Sequence, residues 1–220
     1  ALMQPMENGE LRSLSYQQLQ ERVNGFAGHL QKLELEKGER ILIWSASSAE
    51  WLIAYFAGLL VGLVIVPLDV NSREDFLERI AETSEAKYLV TTQKQYSSLK
   101  QALLPLIDIE SLPEEKIKPE LLPTIDESDM AELVFTSGTT GQPKGVMLSQ
   151  GNIASNALAA LKVVDINERD RALSILPLSH MFEMTIEIAI LSTGASILYA
   201  RSLAPDTLLK LLATQSTTVM

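Results

Sequence analysis

The sequence predicts an α/β protein: two layered α/β units with mostly parallel sheets flanked by helices. Three observations carry this expectation. Short β-branched runs alternate with segments of helical period along most of the 220 residues. The strand candidates read as continuous apolar runs, which suits strands covered on both faces of a parallel sheet. One stretch, 105–129, breaks the alternation with four prolines among Glu, Asp and Lys. It is read as a surface connection between a first subdomain over 1–104 and a second over 130–220.

Each element has its own warrant. Ser15 with Gln18 forms a capping-box pattern ahead of a helix whose apolar face is Leu19, Val23, Phe26, Ala27, Leu30 and Leu33. After Gly38, the run Ile41–Trp44 reads as a buried strand. Ser47 and Glu50 make a second capping-box pattern, opening the uncharged run Trp51–Leu68. That run reaches the lower end of membrane-spanning length, roughly 18 residues. Gly58 and Gly62 weaken it as one helix, Val64-Ile65-Val66 is β-branched, and Pro67 closes it. No Lys or Arg cluster flanks it, so it is read as a buried helix followed by a buried strand. A helix over about 73–83 and a strand at 88–90 follow.

Beyond the connection come a strand at 132–136, a glycine-rich loop, and helices near 152–163, 181–191 and 205–213, with strands at 172–176 and 195–199. Thr217–Met220 resembles the opening of another strand. The expectation is therefore a piece of a longer protein.

Composition excludes several classes. With 28 acidic against 18 basic side chains and 5% aromatics, the chain repels phosphate backbones and offers few stacking platforms, so no nucleic-acid partner is expected. The absence of cysteine removes disulfides, thiolate zinc sites and a Cys nucleophile. With His29 and His180 as the two histidines, a His-rich metal site is not expected either. The N-terminal residues show no basic segment leading into an apolar run, and a cytoplasmic location fits.

The segment that carries chemistry is Leu133–Val146. It is an apolar strand running into a loop with three glycines, four hydroxyl side chains and Lys144. Glycines let a backbone approach a ligand closely, and successive N–H groups form a concave anion site. Hydroxyls of Ser137, Thr139 and Thr140 add donors, and Lys144 adds a compact positive charge. The loop is not a Walker A loop, because Pro143 and Gly145 flank the lysine where that pattern needs Gly and Ser or Thr. From composition alone, a Gly/Thr-rich surface turn with an incidental lysine stays open.

As a full string, TSGTTGQPKGV at 136–146 resembles the signature of the AMP-forming adenylating enzymes: acyl-CoA synthetases, luciferases and peptide-synthetase adenylation domains. LPLSHMFE at 176–183 resembles that superfamily's next core motif, and its His-x-Phe-Glu form is similar to the long-chain fatty-acid–CoA ligase branch. Leu14-Ser15-Tyr16, Lys37–Arg40 and Val66–Asp69 fall where that family has comparable segments, so the resemblance runs along nearly the whole chain.

The resemblance implies ATP, Mg²⁺ and coenzyme A, with a fatty acid as the second small-molecule ligand. It implies that Thr136, Ser137, Gly138, Thr139, Thr140, Gly141 and Lys144 surround the β- and γ-phosphates, with Thr136 as a magnesium ligand. His180 and Phe182 would line the acyl or adenylate pocket. From the residues alone, His180 reads as a satisfied core histidine and Glu183 as a helix-start acid favoured by the dipole. The family's adenylation lysine belongs to a later, small domain, so Lys144 is not given that role and no catalytic residue is assigned. An isolated chain of this length is expected to be inactive in adenylation.

Two further readings share these features: a ligase that hands its acyl group to a carrier protein or stops at the adenylate, and a non-catalytic nucleotide-binding module. Nothing encodes a membrane anchor, although a lipid-like substrate leaves peripheral membrane contact of the parent protein open. Oligomeric state and acyl chain length are not legible.

Overall fold

The computed structural model describes residues 2–5, 10–136, 143–200 and 202–219. In chain order its first elements are β1 (Leu2–Pro5), β2 (Leu11–Leu14), α1 (Tyr16–Lys32), β3 (Arg40–Trp44), α2 (Ala49–Leu60), β4 (Val64–Leu68), α3 (Glu74–Ser84), β5 (Tyr88–Thr91) and α4 (Gln93–Ser97). There follow β6 (Leu106–Asp108), β7 (Met130–Thr136), β8 (Lys144–Ser149), α5 (Gln150–Ala160), β9 (Arg171–Ser174), α6 (Met181–Ser192), β10 (Ser196–Tyr199) and α7 (Pro205–Thr214). The fold is mixed α/β with two sheets, and it divides into two compact units.

One unit spans Arg22–Ala46 and Glu50–Ile153 and holds a six-stranded sheet in the order β6-β5-β3-β4-β7-β8. All its neighbouring strands are parallel except the last pair, β7 with β8. On one face, Leu77, Ile80 and Ala81 of α3 pack on Leu42, Trp44, Val66, Leu68 and Leu89. Full burial of each such aliphatic side chain contributes about 1.5–3 kcal/mol. On the other face lies α2, with Trp51 and Tyr55 stacked at 5.6 Å and both fully buried. Gly58 sets that approach: a Cβ there would lie 2.6 Å from Ile65 Cδ1 and 3.3 Å from Ile41 Cδ1. Gly62, at φ +79°, then ends the helix in the left-handed region that favours glycine. The uncharged run is thus a buried helix and a buried strand, as expected. Pro67, however, sits inside β4 opposite Ile43 rather than closing it. Among the described residues no helix is long and apolar enough to cross a membrane.

The other unit spans Ala1–Glu21, Ser47–Ala49 and Ala154–Met220, with a four-stranded sheet in the order β2-β1-β10-β9. Leu173 and Leu198 face Leu211 and Leu208 of α7. Tyr16 Oη donates to Leu191 O at 3.1 Å and Ala195 O at 2.6 Å, tying the start of α1 to the end of α6. Val219 pairs with Ala172 in an isolated parallel bridge, within the segment that the sequence reads as the opening of a strand.

Three expectations need correction. The boundary between units does not fall at 105–129: β7 and β8, assigned to the second subdomain, complete the sheet of β3–β6. Nor is 105–129 only a surface connection. Its start is β6, and its middle lies along α1, where Glu115 N–H donates to Gly25 O at 2.8 Å. Lys118 N–H and Gln31 exchange bonds of 2.9 and 3.0 Å, and Lys32 pairs with Glu115 at 2.7 Å. Gly28 makes this possible, because a Cβ there would stand 2.3 Å from Glu115 O. Finally, Ser15 and Gln18 do exchange the two capping-box bonds (2.8 and 3.1 Å), but Ser47 does not cap α2. Its hydroxyl accepts from Leu178 N–H at 2.9 Å instead, and Glu50 pairs with Arg22 at 3.1 Å.

Candidate functional site

Strand β7 leaves the sheet carrying Thr136 and returns as β8 with Lys144. The two are register partners, as are Phe135 with Gly145 and Val134 with Val146. Directly opposed residues in an antiparallel pair hold their Cβ atoms about 4.5–5.5 Å apart, so the pairing roots a hydroxyl residue and a lysine at neighbouring positions. Both residues are exposed. The hairpin is anchored from within: Leu133 and Phe135 pack on the Leu42–Leu89 cluster. Gly145 leaves room for them, since a Cβ would sit 3.0 Å from Leu133 Cδ1 and 3.3 Å from Phe135 Cε1. Ser137, Gly138, Thr139, Thr140 and Gly141 lie outside the described residues.

Four residues before Thr136, Glu132 is 0% exposed and opposes Ile65 of β4. Burial pushes its carboxyl up to about 7, and the Tyr55 hydroxyl facing it offsets part of that rise. The two groups stop short of hydrogen-bond contact: neither Glu132 oxygen nor Tyr55 Oη closes a bond. Burial also raises the Tyr55 hydroxyl well above its ordinary value, with the Glu132 charge adding to the effect. Glu132 lies outside the motif strings, although a lone acid inside MAELVFT is a visible signal.

The second predicted segment joins β9 to α6. Its backbone is pinned at two points. Ser47 Oγ holds Leu178 N–H and donates to Leu176 O at 3.4 Å, and His180 N–H donates to Pro177 O at 2.9 Å. His180 takes the N-cap position of α6 with extended backbone and no side-chain cap bond. Its ring is exposed, so it is not the core histidine that the residues alone suggested. Phe182, one residue inside the helix, is 67% exposed. Glu183 occupies the first turn but is turned inward and buried, and burial raises its carboxyl. Glu187, one turn later, is more buried still and lies outside the motif strings. The fold therefore pairs Thr136 with Lys144 in the six-stranded unit and His180 with Phe182 on one turn of the four-stranded unit.

The sequence over residues 1–220 matches the family described as AMP-binding enzyme. The chain belongs to the AMP-binding enzyme family. Long chain acyl-CoA synthetase 8 of Arabidopsis thaliana is 26% identical over 89% of the chain and 31% of its own length. The 2-succinylbenzoate–CoA ligase of Bacillus velezensis is 33% identical over 78% of the chain and 36% of its own. The chain thus spans roughly a third of the curated relatives it matches. Among solved structures, the NpsA N-terminal subdomain of Klebsiella oxytoca in complex with 3-hydroxyanthranilyl-AMSN superposes with a TM-score of 0.81 at 26% identity, covering 99% of this chain and 54% of that one. This AMP-binding family member has the fold of the N-terminal subdomain of adenylating enzymes.

Proposed function

We propose that this chain supplies the phosphate-binding part of an ATP-dependent, AMP-forming acid–thiol ligase that activates a long-chain fatty acid as its acyl-adenylate and transfers it to coenzyme A. The observation that carries the reading is the β7–β8 pair, in which Thr136 and Lys144, at either end of the glycine-rich motif, are register partners.

The chemistry asks little covalent work of these residues. A carboxylate oxygen forms a bond to the α-phosphorus of ATP while the bond to pyrophosphate breaks, and the electron pair leaves with pyrophosphate. Lys144 meets the negative charge gathering there, and the loop's N–H groups and hydroxyls orient the phosphates. A thiol then displaces AMP from the acyl carbon. Among the described residues no three His, Asp or Glu side chains gather to hold a metal ion. The exposed Thr136 hydroxyl beside Lys144 is the ligand this hairpin offers to Mg²⁺, which when bound supplies further positive charge to the phosphate oxygens. His180 and Phe182 line the acyl or adenylate pocket in this reading. Its preference for long chains is supported by the His-x-Phe-Glu segment and the Arabidopsis relative.

Acid-dependent exchange between ATP and pyrophosphate tests this, with carboxylates from acetate to palmitate. It should be run on this chain and on a longer protein containing it. Exchange by the longer protein, strongest with palmitate, is expected. Exchange with short acids alone would overturn the long-chain assignment. No exchange with any acid, while ATP still binds, would replace the ligase with a non-catalytic nucleotide-binding module.

A further inference from the structure

Helix α6 carries two carboxyls one turn apart, Glu183 and Glu187, and both turn into the sheet. Strand register decides what they meet. β9 and β10 pair Ser174 with Tyr199 and Ala172 with Ile197, so these four share a face, while Leu173 and Leu198 face α7. On the α6 face Tyr199 Oη donates to Glu187 Oε2 at 2.7 Å. Ser174 Oγ, buried and without a closed hydrogen bond, faces both carboxyls, and the Ile175 amide faces Glu183. Leu2 of β1 pairs with Ile197, so Gln4 lies on the same face, and its Oε1 is also buried without a closed bond. This is a polar layer inside an otherwise apolar helix–sheet contact. Its members sit at both ends of one short segment: Ser174 and Ile175 where the chain leaves β9, and Glu183 three residues past His180.

Resting on the reading of His180 and Phe182 as substrate-lining residues, we propose that Glu187 and Glu183 are positioning residues. The layer they form with Tyr199 and Ser174 fixes the first turn of α6 and so the directions of the His180 and Phe182 side chains. They act through the helix. Burial raises both carboxyls, Glu187 to about 8, with Tyr199 and Ser174 offsetting part of the rise and the Glu183 charge adding to it. Glu187 is therefore held neutral at pH 7. A neutral carboxyl accepts from Tyr199 and still has a proton to offer toward the Ser174 Oγ that faces it; an ionised one has none.

The test reads the two histidines of this chain by proton NMR, with His29, in the other unit, as internal reference. Glu187→Leu and Tyr199→Phe should shift and broaden the His180 Hε1 resonance and leave that of His29 in place. Glu187→Gln, which keeps the donor and acceptor, should restore it. In the unsubstituted chain the His180 resonance should carry an inflection between pH 7 and 9 that Glu187→Gln removes. An unchanged His180 resonance in Tyr199→Phe would overturn the proposal. So would Glu187→Gln moving it as far as the leucine does. Should Glu187→Leu not fold, the other two variants decide. The readout uses neither ATP nor acid, so a failure of adenylation would overturn the proposed function and leave this result standing.

Discussion

Two places in the chain can be set side by side: the β7–β8 pair around the glycine-rich motif, and the passage from β9 into α6. Both carry exposed polar or aromatic side chains: Thr136 at the end of β7 with Lys144 at the start of β8, and His180 with Phe182 at the start of α6. Both also keep a carboxyl buried close by, and there they differ. Glu132 faces Tyr55 without a closed bond, whereas Glu187 is bonded to Tyr199 at 2.7 Å and shares its layer with Glu183 and Ser174. An acid that faces a single hydroxyl has less of its burial offset, while an acid with a closed bond inside a network sets the geometry of what stands above it.

The largest effect is expected away from both segments and calibrates them. Gly28→Ala would drive a Cβ to 2.3 Å from Glu115 O and push the 114–118 segment off α1. A loss of about 2–4 kcal/mol in denaturant unfolding is expected, by analogy with overpacking and lost backbone contacts. Gly25→Ala, with its nearest contact at 3.1 Å from a Glu114 side chain, should cost clearly less.

The comparison itself is sharpened by the two acids. Glu187→Leu at pH 6 removes the acceptor that the buried Tyr199 hydroxyl meets at 2.7 Å and should cost about 1–3 kcal/mol. Glu132→Leu at pH 8.5 removes an ionised buried carboxylate that faces only the Tyr55 hydroxyl without a closed bond and should stabilise by about 1–2 kcal/mol. Equal signs for the two substitutions would erase the distinction drawn between them.

The pH dependence follows with its sign. Both acids have folded-state values above the ordinary 4.5, so the folded chain keeps protons that the unfolded chain releases. The stability they contribute is present below about pH 4.5 and is lost as pH rises, through about 7 for Glu132 and about 8 for Glu187. Unfolding followed from pH 5 to 9 should show this decline; Glu132→Gln should roughly halve its slope below about pH 7 and leave the part between about 7 and 8, whereas Glu187→Gln should also lower the slope below about 7 and remove the part above it. The smallest expected effect is Ser15→Ala, which takes away one side of the α1 capping box and should cost about 1 kcal/mol.

Much of this was legible because its signals are local. The apolar face of α1, the run that becomes α2 and β4, and the α3 periodicity each sit within one window of sequence. β1 was not, since Leu2 finds its parallel partner at Ile197, across almost the whole chain. β6 has three residues beside Pro105, and β8 opens on Lys144-Gly145, a sequence that reads as loop until β7 pairs with it. The packing of 112–118 on α1 was signalled only by the Gly25/Gly28 spacing, which has no meaning until its partner is known. At the sites, the motif strings gave Thr136, Lys144, His180 and Phe182, while Glu132 and Glu187 were visible as single acids in apolar runs without any indication of what they face.

The most direct measurement is an ATP titration by calorimetry of the chain and of Lys144→Ala, with the unfolding midpoint of each recorded alongside. A charge-assisted phosphate contact of about 1.5–3 kcal/mol corresponds to roughly 10- to 150-fold in affinity. The account predicts that Lys144→Ala weakens ATP binding by at least tenfold while the midpoint stays unchanged. Equal affinity for ATP in the two proteins would contradict it.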